Sequence, residues 1–212
     1  MPHGGVISVR QHIRMGDGMA GLQGLLQEIR LLEERVAEEV ARDAEEFGYS
    51  LRNGRAVFDK EIIARHRELA NRVSRYLAES SLLAAVTAPL VYSLLFPLAL
   101  LDGCVWIYQL LCFPVYRVPR VRRSDYFVLD RHQLIYLNPI ERTHCLFCSY
   151  ATGLIAYIRE IAARTEQYWC PIKHAQRLKD VHSRYYKFLP YGNAEGYAAD
   201  LEKLRREFSD LQ

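Results

Sequence analysis

From Ser80 to Leu101 the chain carries no charged side chain, and after Asp102 and Gly103 it is uncharged again from Cys104 to Tyr116. No other feature limits the fold as tightly. A helix needs about 20 mostly apolar residues to cross about 30 Å of hydrocarbon, and the first run is long enough. A core helix of a soluble protein that long normally keeps a polar stripe, and this run has none. The expectation is a segment embedded in a bilayer, too far along the chain to be a secretory leader.

Asp102-Gly103 suits a turn, because glycine tolerates the backbone angles a turn needs. Residues 81–116 are therefore expected to form a membrane-embedded helical hairpin, with kinks at Pro89 and Pro97 that membrane helices tolerate. Trp106, Tyr108 and Tyr116 are of the types that gather near headgroups. Arg65, Arg67, Arg72 and Arg75 precede the run, and Arg117, Arg120, Arg122 and Arg123 follow it. Loops rich in arginine and lysine stay in the cytoplasm, so both termini are expected there. The four arginines after the run are also candidate contacts for anionic headgroups, at about 1 kcal/mol each.

Outside this segment the pattern is mainly α. Residues 1–20 are expected to be a flexible tail. Leu22, Leu25, Ile29, Leu32, Val36 and Val40 recur at three- and four-residue steps, with charges on the other face, which predicts a helix over about 21–47. Asn53-Gly54 marks a turn. A second helix is expected from Asp59, which has the character of an N-cap, so that residues 21–80 form an antiparallel helical hairpin or short coiled coil. Residues 117–190 combine the basic segment, a short β-hairpin over Tyr126–Leu137 and a helical region containing cysteine and histidine. That region comprises helices over about 154–169 and 172–189, and residues 191–212 form a C-terminal helix.

The net charge of +3 demands no nucleic-acid partner, and no basic-aromatic RNA-binding module is present. Five cysteines, two of them inside the apolar run, fit poorly with a disulfide framework. Chemistry is best sought in Cys145-Leu-Phe-Cys148 and Cys170-Pro-Ile-Lys-His174. Three thiolates and an imidazole are a standard tetrahedral zinc set. A helix between the pairs would hold its ends about 24 Å apart, so closure needs a broken helix or an antiparallel partner chain. Two other readings remain. One makes Cys145 and Cys148 a redox pair activated by a helix N-terminus. The other takes Glu141 and His144, an ExxH motif, with Glu160 and Glu166 as ligands of an iron centre. Glycine-rich phosphate loops and nucleophile elbows are absent. The expected function is a membrane-anchored, zinc-binding structural or interaction module at the cytoplasmic face, with the bilayer and a homodimer mate or other protein as partners. A membrane redox enzyme using the thiols, iron or an iron-sulfur centre is the alternative.

Overall fold

The computed structural model describes residues 15–52, 55–70, 73 and 82–211. The chain divides into two compact units, one ending at Arg65 and the other beginning at His66.

In the first unit, helix α1 (Met15–Glu46) leads into strand β1 (Tyr49–Arg52). Strand β1 pairs antiparallel with β2 (Arg55–Phe58), and Tyr49 faces Phe58 with ring centroids 5.6 Å apart. Helix α2 (Lys60–Glu68) follows directly after Asp59. The period-3.6 pattern found α1, but the helix starts at Met15, so the expected tail is helical over its last residues. Residues 1–14 lie outside the described residues, as do Asn53-Gly54 and the stretch 74–81 into which the second helix was expected to continue. The expected helical hairpin is corrected on a second count. A β-hairpin separates the two helices, and Ile29, Leu32, Val36 and Val40 on α1 are exposed rather than packed on a mate. Short alternating segments such as Arg55–Phe58 are too brief for periodicity to register.

The second unit is built on helices α3 (Leu82–Ser93), α4 (Leu95–Tyr116) and α5 (Pro139–Trp169), with α6 (Ala194–Arg206) near the C-terminus. Only Leu94 separates α3 from α4, and it keeps right-handed helical angles (φ −63°, ψ −17°). The break has a simple cause. Pro97 has no N–H to give the Ser93 carbonyl, so the ladder is interrupted there and the chain still runs on. The expected turn at Asp102-Gly103 is overturned, because both residues lie inside α4.

The real reversal comes at Arg117. Its left-handed backbone (φ 57°, ψ 33°) closes a helix-ending motif in which the Val118 N–H reaches the Phe113 carbonyl at 2.9 Å. Val118 and Phe113 are buried there as the accompanying apolar contact. Pro114 leaves the Leu110 carbonyl without a helical donor, and Arg120 Nη2 supplies one at 3.3 Å.

From Arg117 the chain returns beside α4. Gln109, buried in α4, accepts from the Val121 N–H at 2.8 Å and donates to the Val121 carbonyl at 3.3 Å and to the Tyr157 hydroxyl at 3.0 Å. Arg164 of α5 donates to the carbonyls of Pro119 and Arg120. The return segment contains 3-10 turns at Arg123–Asp125 and Arg131–Gln133 where a β-hairpin was expected. Tyr126 and Phe127 pack on Tyr157 of α5, so their apolar side chains are buried by a helix and need no partner strand.

Helix α5 begins earlier than the apolar periodicity suggests. The Asn138 side chain accepts from the Ile140 and Glu141 N–H groups, Glu141 Oε2 accepts from the Asn138 N–H at 2.8 Å, and Pro139 sits in the first turn. The core gathers Phe113, Val118, Val121, Leu154, Tyr157, Ile161 and Phe208. At Gly153 the return segment approaches so closely that an added Cβ would meet the Tyr126 carbonyl oxygen at 2.8 Å. Gly153→Ala is therefore expected to lower unfolding stability by about 1–3 kcal/mol in denaturant titration, the usual cost of overpacking. An unchanged midpoint would mean the segment is loosely held.

After Trp169 the expected helix over 172–189 is absent. The segment is a loop whose ends meet: Lys173 N–H donates to Leu189 O at 2.7 Å, and Leu189 N–H to Pro171 O at 2.9 Å. The C-terminal helix ends at Arg206, with a 3-10 turn at Ser209–Leu211.

Candidate functional site

Helices α4 and α5 run parallel. Tyr92, just before α4, meets Phe147; Asp102 meets Tyr150; Gln109 meets Tyr157; and Tyr116 stacks on Tyr168 at 4.8 Å. The side of α4 turned to α5 and the return segment holds its polar groups, Asp102, Tyr108 and Gln109. Asp102 is gripped by Arg123 through both guanidinium nitrogens, one bond being 2.7 Å, and it accepts from the Tyr150 hydroxyl at 3.0 Å. Tyr108 and Thr165 share a hydrogen bond at 3.0 Å.

Facing away from Asp102 and Gln109, α4 bears Phe96, Leu100, Ile107, Leu111 and Val115, all exposed, with Phe96 at 77% and Val115 at 75%. At about 100° per residue these positions fall on one face. Helix α4 is thus apolar nearly all round: its inward side mixes Asp102 and Gln109 with buried Phe113, and its outward side is apolar where a water-soluble helix would turn polar groups to solvent. On α3, Leu83, Val86 and Leu90 are exposed as well.

Val86–Tyr116 and Pro139–Trp169 are each long and apolar enough to cross a membrane by length and composition. They differ in burial. None of the most apolar stretch of the first is buried within the protein, against 28% for the second. Helix α5 therefore has protein on much of its apolar face, whereas α3 and α4 present theirs to the outside.

Of the four arginines expected at the membrane surface, Arg123 is paired with Asp102 and Arg120 with the Leu110 carbonyl. Arg117 and Arg122 are exposed. The pairing of Arg123 was missed in the sequence, although a lone aspartate in an uncharged run is a signal that a partner exists.

The proposed zinc ligands do not converge within one chain. Cys145 and Cys148 lie on successive turns of α5, and Cys170 caps its far end. Between Cys148 and Cys170 the helix is unbroken, a separation of roughly 33 Å at about 1.5 Å per residue. Cys148, Cys170 and His174 are exposed, Cys145 is half-buried, and all the cysteines are free thiols. The redox reading loses its premise too, since Cys145 sits beyond the first turn of α5, where the dipole fades.

Glu141, His144, Glu160 and Glu166 also stand apart along α5. Glu141 closes the cap of the helix and His144 lies against Tyr92. Glu160 accepts from Arg164 at 2.8 Å and Ser183 at 3.0 Å, and Glu166 pairs with His182 at 2.9 Å. The two latter carboxylates tie the loop after α5 down onto that helix. Among the described residues no group of three or more histidine, cysteine or acidic side chains is placed to hold a metal ion.

A second polar cluster lies at the C-terminal end of α5. Arg184, 1% exposed, donates to Gln167 Oε1, to the Glu207 carbonyl at 3.2 Å and to Asp210 Oδ1 at 2.9 Å. Gln167 donates to the carbonyls of Leu204 and Glu207, both at 2.8 Å. Together they satisfy the open end of α6 and bind the C-terminus to α5. Burial works to raise the Asp210 carboxyl, but Lys187 and Arg184 outweigh it and hold it down to about 2. These contacts are internal and well satisfied, which marks the cluster as a latch rather than a reaction centre.

No protein-family model, curated protein or solved structure matches the chain.

Proposed function

We propose that the protein is a membrane-anchored structural or interaction module at the cytoplasmic face, held by the outward side of α3 and α4 lying along the bilayer interface. The single observation that carries this reading is the row of exposed apolar side chains on the outward side of α4. Each outward leucine, isoleucine or phenylalanine contributes about 1.5–3 kcal/mol when fully withdrawn from water, and a row of them fits a lipid surface.

A position along the interface is favoured over a crossing by what lies beside α4. The return segment carries Arg122, Asp125 and Arg131 back along the helix, and a crossing would draw such charges towards hydrocarbon, where each costs up to about 2.5–3.5 kcal/mol. Length argues the same way. Leu82 to Tyr116 covers roughly 50 Å, so burying all of it across about 30 Å of hydrocarbon needs a tilt beyond the usual 0–40° range. In the interface, only the apolar face meets acyl chains and the polar face keeps its protein partners.

The interaction half of the proposal rests on α1. Ile29, Leu32 and Val36, exposed and spaced as a helical seam, suit a partner helix, from a second copy or another protein. Zinc enters this reading only through a second chain, with Cys145 and Cys148 of one copy beside Cys170 and His174 of the other.

Topology tests the anchor. Because an interfacial helix leaves its basic flanks on one side, reporters fused at the N-terminus and at Gln212 are both expected in the cytoplasm. Reporters on opposite sides would establish a crossing and overturn the interfacial anchor.

A further inference from the structure

A cavity of about 380 Å³ lies between the α3–α4 junction and the N-terminal part of α5. We infer that it takes one acyl chain of a bilayer phospholipid, an inference that rests on the membrane reading given above. Leu95, Leu129 and Leu146 stand at its rim, partly exposed, and Tyr92, Phe147 and Tyr150 line its depth.

The wall is almost wholly apolar, and the polar atoms near it have other commitments. Thr143 donates its hydroxyl to the Pro139 carbonyl at 2.9 Å, and Tyr150 donates to Asp102 at 3.0 Å. A ligand needing directional hydrogen bonds finds few free partners, whereas a hydrocarbon chain needs none. The volume falls in the range of small-molecule pockets, about 300–1,000 Å³. Continuity identifies the source of the chain. Leu95 at the rim is itself exposed, one residue before Phe96 of the outward row, and a chain entering past it would come from the apolar surface assigned to the bilayer. Tyr150, which lines the cavity, donates to Asp102 of the Arg123–Asp102 pair, so a headgroup at that end would find charged groups beside it. A water-filled cavity with this lining would leave its waters without the two to four polar partners they require.

The test uses the full chain, purified in detergent, incubated with palmitoyl-oleoyl phosphatidylcholine and examined by native mass spectrometry. The expected result is a single lipid adduct per chain. Leu146→Trp and, from the return segment, Leu129→Trp each fill the cavity and should lower adduct occupancy at least tenfold, while Leu111→Trp on the outward face leaves it unchanged. Far-UV circular dichroism on each variant establishes that the helices remain. Absence of a one-to-one adduct on the wild type, or an adduct indifferent to both filling variants, overturns the inference. Membrane pelleting of the same proteins separates the two ideas. A wild type that pellets yet holds no lipid overturns the cavity and leaves the anchor. A wild type that remains soluble and still holds the lipid supports the cavity and overturns the anchor.

Discussion

Replacing Arg184 with methionine is expected to cost about 1–3 kcal/mol of unfolding stability, the range for leaving a buried polar group without its partner. Methionine preserves much of the volume, so the loss is electrostatic. Gln167 loses the donor to its side-chain carbonyl, the Glu207 carbonyl loses one of its two donors, and Asp210 loses Arg184 while keeping Lys187. The α6 segment should then detach first, visible as early proteolytic cleavage after Trp169. Lys187→Ala, which removes the more exposed partner, should cost less than about 1 kcal/mol. A small effect of Arg184→Met would mean the C-terminus is docked by apolar contacts such as Phe208 alone. The same latch sets a pH response. The Asp210 carboxyl titrates lower in the folded protein, at about 2, than in the unfolded chain. Its contribution is therefore complete above about pH 4 and is lost as the pH falls through 2. Asp210→Asn should flatten that part of the acid denaturation curve.

Two arginines on the outward face should release the protein from membranes. Leu100→Arg with Ile107→Arg replaces two outward apolar side chains of α4 by charges, forfeiting about 1.5–3 kcal/mol of apolar burial each, on the order of 5 kcal/mol together. That corresponds to a few thousandfold in partitioning, and the protein should move from membrane pellet to supernatant. Leu178→Arg, on the exposed part of the loop after α5, should leave its distribution unchanged. Retention of the double variant would mean that contacts other than the outward face hold the protein to the membrane.

Much of the helical content could be read from the sequence, because an apolar residue every three or four positions survives whatever packs against it. The stripe from Leu22 to Val40 and the uncharged run at 80–101 are of that kind. Boundaries set by side-chain chemistry were harder to read. Asn138-Pro139-Ile140-Glu141 is a helix start written plainly in capping residues, yet the short apolar run Leu134–Leu137, read as a strand, masked it. The Asp102-Gly103 pair has the composition of a turn, and Arg123 and Tyr150, many residues later, are what make Asp102 tolerable inside a helix. Such a partner is set by tertiary structure. The loop 172–189 has helical spacing, but Arg184 and Tyr185 hold it by long-range bonds to Gln167 and to the His174 N–H, and local propensity yields to them. The metal set does not close within one chain for a related reason. Ligand type and spacing are local signals, whereas convergence depends on whether the intervening helix breaks, and α5 does not.

Alkaline carbonate fractionation of cells expressing the full chain tests the central claim most directly, since it strips proteins held by charge or by other proteins and leaves those with side chains in the acyl layer. The outward face of α3 and α4 predicts that the protein stays in the pellet through carbonate and high salt and needs detergent for release. Quantitative recovery in the supernatant after salt or carbonate alone would contradict the account.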